Sequence, residues 1–282
     1  MKRIIIVTGA SSGMGREFAL QLAEKRKADE IWLLARRKEK LETLAMEIIS
    51  QSSPAEIPVP KVFPIDLGGK KGVDAFVGLL KTKATDESGE RSLVVDTLVN
   101  NAGFGTYGTF SETGMQRQLD MIDLNVYTLT GFCHAVLPYM ERGSLIINVA
   151  SLAAFIPLGN FAVYGATKAY VLSFSTAFAA EVADQGIFVS TLCPGPVDTE
   201  FAQVASNGAR EKVVDGKSPK AVVAHCLARI DRKKHIAIMA PKWRFKAFMS
   251  RFVGRFVFAR YTFVHEKRPS RADMEGTRNP NE

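Results

Sequence analysis

A short apolar block near the start of the chain, Ile4-Ile5-Ile6-Val7, runs directly into a glycine-rich turn, Thr8-Gly9-Ala10-Ser11-Ser12-Gly13-Met14-Gly15. An uninterrupted β-branched run of this kind suits a strand buried on both faces, as in a parallel sheet covered by helices. The same alternation continues along the chain. Strands are predicted over 3–8, 30–35, 62–66, 93–100, 144–150, 187–192 and 235–239. Helices are predicted between them, over 14–27, 38–50, 72–83, 112–140, 162–185 and 219–231. Ser218-Pro219 supplies a helix cap followed by the residue best tolerated in a first turn. Polar stretches at 51–60 and 82–92 read as surface loops. Parallel strands need crossover connections, and the helices provide them. The expected architecture is α/β, a doubly wound, seven-stranded parallel sheet flanked by helices, in one domain over residues 1–240.

A strand, a glycine turn and a helix in that order can hold a pyrophosphate. Glycines let the backbone approach closely, and the free N–H groups at the helix start face the anion. Gly9, Ser11, Ser12, Gly13, Met14 and Gly15 are therefore candidate dinucleotide contacts on a Rossmann-type sheet. The spacing is G-x-x-x-G-x-G, not the commoner G-x-G-x-x-G. The second strand ends Ala35-Arg36-Arg37. An acid at that tip would bind a ribose 2′-hydroxyl, whereas arginine accommodates a 2′-phosphate. Arg36 and Arg37 thus favour NADP(H) over NAD(H).

Three further signals follow later strands: Asn100-Asn101-Ala102-Gly103, Ser151 after the fifth strand, and Tyr164-x-x-x-Lys168 on the next helix. Tyr164 and Lys168, four residues apart, share a helical face. A free phenol, with a pKa of about 10, is a poor base at neutral pH. A neighbouring ammonium lowers that value, and a serine hydroxyl can hold the substrate oxygen. Ser151, Tyr164 and Lys168 together suit proton transfer during hydride exchange with a carbonyl carbon.

With these motifs in this order the chain resembles the short-chain dehydrogenase/reductase family over about residues 3–240. The resemblance rests on the glycine turn, Asp66, Asn100-Asn101-Ala102-Gly103, Asn125, Ser151, Tyr164-x-x-x-Lys168 and Pro194-Gly195-Pro196-Val197-Asp198-Thr199. It implies Tyr164 as acid/base, with Lys168 lowering its pKa and holding the nicotinamide ribose. It implies that Ser151 polarises the carbonyl and that Asn125 anchors a proton-relay water. It places Asp66 at the adenine, Asn101, Ala102 and Gly103 along the cofactor cleft, Pro194 and Gly195 among the cofactor contacts, and Val197 and Thr199 at the carboxamide. It also implies a homodimer or homotetramer through the helices at 112–140 and 162–185. The spellings are similar to the branch holding DltE-type reductases and long-chain 3-oxoacyl or steroid reductases.

Phe104, Phe155, Phe161 and Phe201 neighbour these motifs, with Ile156 and Leu158, and no lysine or arginine stands in those loops. A lipophilic ketone or secondary alcohol, 3-oxoacyl or steroid-like, is the expected substrate. A non-catalytic NADP-sensing protein is the competing reading. Cys133, Cys193 and Cys226 and the four histidines show no metal spacing, so no metal is expected. The opening apolar block is too short for a signal peptide and no run reaches a membrane span, so a cytoplasmic location is the default.

The net charge of +8 is concentrated at the end. Residues 241–268 hold Lys242, Arg244, Lys246, Arg251, Arg255, Arg260, Lys267 and Arg268 against Glu266 as the one acid. Phe245, Phe248, Met249, Phe252, Val253 and Phe256 follow helical spacing, so a basic amphipathic helix is expected, with Gly254 weakening it. It can close the substrate pocket, pack on a neighbouring subunit or lie on an anionic membrane. Basic aromatic segments are poor evidence for nucleic acid, and no nucleic-acid partner is expected. Residues 269–282 are expected to be a disordered tail.

Overall fold

The computed structural model describes residues 1–50, 57–84, 92–210, 213, 215–268 and 270. Its sheet has seven strands in the order β3-β2-β1-β4-β5-β6-β7. They are β1 Lys2–Thr8, β2 Glu30–Ala35, β3 Val59–Pro64, β4 Leu93–Asn100, β5 Leu145–Val149, β6 Phe188–Leu192 and β7 Ile236–Ala237. Every pairing is parallel. The crossovers carry α1 Gly13–Lys25, α2 Lys38–Ser50, α3 Gly69–Ala84, α4 Met115–Ile122, α5 Leu129–Val136, α6 Ala162–Glu181, α7 Phe201–Ala205 and α8 Pro219–Asp231.

The opening strand shows why its sequence is apolar throughout. Ile4 and Ile6 enter the core on one face of the sheet, and Ile5 and Val7 enter the other. Successive side chains point to opposite faces, so only a strand covered twice needs four apolar residues in a row. β1 lies between β2 and β4, where the connections diverge to the two sides. Ligands of open α/β sheets bind at the carboxyl ends of the strands beside such a switch point.

Several elements differ from expectation. β3 begins at Val59, inside the segment read as a loop; it is the sheet edge, where Pro60 and Pro64 remove no needed donor. The remainder of the 51–60 and 82–92 loops, residues 51–56 and 85–91, lies outside the described residues. The strand at 235–239 shrinks to Ile236–Ala237. The helix expected over 112–140 starts only at Met115, because Glu112 accepts from the Thr109 hydroxyl at 2.5 Å and closes a turn first. Midway it widens into a π-turn, Asp123–Thr128, and it ends in a 3-10 turn, Leu137–Tyr139. The basic tail is two helices, α9 Pro241–Met249 and α10 Arg255–His265, with Gly254 capping the start of the second. Of the expected disordered tail, only Ser270 is described.

Candidate active site

The carboxyl ends of β1 and β4 are stitched together by one hydroxyl. Thr8 Oγ1 donates to the Val99 carbonyl at 3.0 Å and accepts from the Asn101 and Ala102 amides, both at 3.0 Å. The Asn101 amide nitrogen donates back to the carbonyls of Thr8 and Gly9. This web draws the glycine turn onto Asn101 and Ala102. A Cβ on Gly9, whose φ is +64°, would lie 2.9 Å from Ala102 Cα. A Cβ on Gly15 would lie 2.2 Å from the Gly9 carbonyl oxygen. The helix behind them starts with no side-chain cap and no acid in its first turn. Its N–H groups are thus open to an anion, and the turn fits a dinucleotide pyrophosphate.

A cavity of about 1310 Å³ extends from this turn across the carboxyl ends of the strands. Gly9, Ser11, Ser12, Gly13, Met14, Arg36, Arg37, Asp66, Asn101, Ala102, Gly103, Pro194, Gly195, Val197 and Thr199 line it. So do Ser151, Tyr164 and Lys168, and so do Phe104, Phe155, Phe161 and Phe201. Gly15 and Asn125 lie behind the wall.

Arg37 is clamped at the rim. It donates to Ser12 Oγ at 2.9 Å and to Ser11 Oγ at 3.0 Å, and it pairs with Glu200 at 2.8 Å. Burial pulls the Glu200 carboxyl upward, but hydrogen bonds from Lys40, Arg37 and Ser12 outweigh it and hold it at about 2. Arg36 is exposed and lines the cavity.

Tyr164 and Lys168 are buried one helical turn apart in the first half of α6. Lys168 Nζ donates to the Val149 carbonyl at 2.8 Å and sits 5.7 Å from the Tyr164 ring centre. Ser151 follows β5 and accepts from the Ala153 amide at 3.1 Å. The expected lowering of the phenol does not hold in the free protein. Burial pushes Tyr164 above its ordinary range, and the hydrogen bond with Ser151 offsets only part of this. Burial also pushes Lys168 down, to about 8. Desolvation disfavours the charged form of each.

The lysine shift predicts a pH effect. Unfolded Lys168 keeps its ordinary value of 10.5, while the folded value is about 8. Between the two the unfolded chain binds more protons, so this residue adds stability as pH rises through that window. Melting curves of wild type and Lys168→Met across the window should shift in favour of wild type. A constant difference in Tm would rule this out.

The side-chain amide of Asn125 is committed to the chain: Nδ2 donates to the Phe104 carbonyl at 2.9 Å and Thr167 Oγ1 at 3.1 Å, and Oδ1 accepts from the Phe104 amide. The π-turn swings it into this position, and such turns recur at functional sites. It braces the Gly103–Phe104 loop against α6. A Cβ on Gly103 would lie 2.7 Å from Asn125 Oδ1 and 3.6 Å from Lys168 Nζ, so glycine keeps the gap between them open.

The family model described as short chain dehydrogenase matches residues 3–210. The chain belongs to this family. Similar proteins include an uncharacterized oxidoreductase of Staphylococcus epidermidis, 31% identical over 79% of this chain and 90% of its own length. An NADP-dependent 3-hydroxy acid dehydrogenase of Schizosaccharomyces pombe is 28% identical over 84% of this chain and 90% of its own. A short-chain dehydrogenase from Sphingobium yanoikuyae, solved in complex with NADPH, superposes with a TM-score of 0.72, at 26% identity, covering 89% and 94% of the two chains. This short-chain dehydrogenase is accordingly an oxidoreductase with a Rossmann-type sheet.

Sequence reasoning missed two features. First, the cavity also carries Arg117, Arg210, Lys246 and Arg268, although no basic residue stands in the loops beside the motifs. They come from remote elements, so no local pattern announces them. Second, the tail completes the cavity. The Thr262 hydroxyl accepts from the Gly159 amide at 2.9 Å, Asn160 Nδ2 donates to the Phe263 carbonyl at 3.0 Å, and Trp243 packs against Gly195. Trp243, Lys246, Tyr261, Thr262 and Arg268 of the tail thus form part of the cavity wall.

Proposed function

We propose that the protein is an NADP(H)-dependent carbonyl reductase, running equally as an alcohol dehydrogenase, with Tyr164 as acid/base. The observation that carries this reading is the convergence of Ser151, Tyr164 and Lys168 on the cavity that begins at the glycine turn. The glycine turn and the Arg36–Arg37 tip would hold NADPH, which would supply the hydride when bound. In reduction, Ser151 holds the carbonyl oxygen by a hydrogen bond. Tyr164, kept neutral by burial, donates its phenolic proton to that oxygen as negative charge develops there. Lys168 places a positive charge beside the ring and steadies the phenolate left behind. Asn125 positions the loop that faces both.

Ala35 at the acid position and Arg36 at the rim support NADP(H), as do the NADPH complex and the NADP-dependent relative described above. The aromatic wall of Phe104, Phe155, Phe161 and Phe201 supports a substrate with an apolar body. The test is NADPH consumption with a panel of bulky ketones. Tight NADPH binding with no turnover of any ketone would favour a redox-sensing protein instead.

Two exposed apolar faces support partners. Met115, Leu119, Ile122, Tyr127 and Tyr170 lie exposed on the helices expected to pair with a second copy. Phe252, Phe256 and Val257 on the tail are 68%, 81% and 62% exposed beside Arg251 and Arg255, which suits an anionic lipid surface. Light scattering should return a dimer or tetramer mass, and vesicles rich in anionic lipid should pellet the chain where neutral ones do not. A monomer mass removes the first partner, and equal pelleting removes the second. No described helix is long and apolar enough to cross a membrane. Three free, buried thiols, Cys133, Cys193 and Cys226, support a reducing, cytoplasmic setting.

A further inference from the structure

The substrate end of the cavity is layered. The Phe161 ring stacks on Tyr164 with centroids 4.1 Å apart and planes within 17°. Tyr107 meets Phe161 edge-on at 4.9 Å. Above these rings lie two cations: the Arg268 guanidinium 5.4 Å from the Phe161 centre, and that of Arg210 5.7 Å from the Tyr107 centre. Both arginines line the cavity. Two guanidinium groups therefore stand one and two rings away from the phenol that handles the substrate oxygen.

Their partners leave the charge incompletely answered. The Arg268 side chain is only 17% exposed. It donates to the Gly159 carbonyl at 3.2 Å and pairs with Glu266 at 3.1 Å. Arg210 donates to the Lys267 carbonyl at 3.2 Å and has no carboxylate partner among the described residues. Among the described residues, Glu266 is thus the one half-exposed acid paired to these two cations, which repel each other. Burying like charges together is costly unless an anion joins them. The planar fork of arginine matches a carboxylate, and stacking over rings holds the fork in place without using its N–H donors.

We propose that the substrate is an oxo acid: an apolar body whose carbonyl meets Tyr164 and whose carboxylate is received by Arg210 and Arg268. This rests on the reductase reading above and narrows its substrate class. The rings supply the apolar path between the two ends. Substrate binding would complete the charge balance that Glu266 begins.

The test uses the full chain with NADPH and a matched pair, benzoylpropionate and its methyl ester, which differ in the negative charge and one methyl group. Wild type should favour the acid by about tenfold or more in kcat/KM, the scale of one charge-assisted hydrogen bond. Arg210→Gln should bring the acid-to-ester ratio close to one. An ester turned over as well as the acid overturns the proposal. So does a variant that slows both compounds equally and leaves the ratio intact, because that is only a structural loss. If neither compound is reduced, the reductase reading is in trouble, but the anion site remains testable. The same pair is then titrated against the NADP-loaded protein, with Trp243 at the cavity wall as the fluorescent reporter. Preferential binding of the acid, lost in Arg210→Gln, supports the site; equal binding, or none, overturns it. Displacement by inorganic phosphate or methanesulfonate more readily than by acetate overturns the carboxylate assignment.

Discussion

Tyr164→Phe is expected to lower turnover by a factor on the order of 10²–10⁴, the usual contribution of a positioned acid or base. The substitution removes one oxygen and leaves the ring. That ring is held by stacking on Phe161 and by a tilted contact with Phe201 at 5.4 Å, so the packing survives. The phenol is buried, and in the proposed reaction its proton is the one passed to the substrate oxygen. Stability and NADPH affinity should therefore stay close to wild type while kcat falls. Single-turnover NADPH oxidation measures the chemical step directly. Activity within a few-fold of wild type would mean that Tyr164 is not the acid.

The second large effect is on cofactor choice. Arg36→Ala should weaken NADPH by about ten- to a hundredfold, the loss of a charge-assisted contact with phosphate, and should barely change NADH. Arg37→Ala should behave differently. Arg37 is tied to Ser11, Ser12 and Glu200, so its removal also loosens the glycine turn proposed to hold the pyrophosphate. Both cofactors should weaken. It would also free Glu200, leaving a carboxylate near a 2′-phosphate with Lys40 as its remaining ion-pair partner. Dissociation constants of each variant for NADPH and NADH give the comparison. Equal loss of both in Arg36→Ala would remove that residue from phosphate recognition.

The sheet was legible because its strands are buried on both faces, which leaves a run of apolar residues that needs no period to detect. Glu30–Ala35 and Leu93–Asn100 coincide with their predicted limits, and so do the helices Lys38–Ser50 and Pro219–Asp231. The edge strand was legible but displaced: it was expected over 62–66 and runs over Val59–Pro64, because a half-exposed strand that opens with Val59-Pro60 lacks that signature at its start. The proton-handling residues were legible because each follows a strand end or lies one helical turn from its partner. Arg117, Arg210 and Arg268 were not, since their meeting is tertiary. The tail shows a different limit. Helical spacing of Phe252 and Phe256 reveals a face but not its direction, and here both point to solvent while Thr262 is buried against the Gly159 loop. The phenol shift was misread for a related reason: charge proximity can be seen in a sequence, whereas depth of burial cannot.

That docking of α10 on Gly159 and Asn160 sets an order of completion during synthesis. The strands, the glycine turn and the catalytic helix all emerge from the ribosome ahead of residues 241–268, and domains begin folding as they emerge. A nascent chain can therefore possess a formed glycine-turn end of the cavity while the end near Gly159 still stands open to water. The far wall of the cavity is finished last, when Thr262, Phe263 and Arg268 reach the Gly159–Asn160 loop that waits for them.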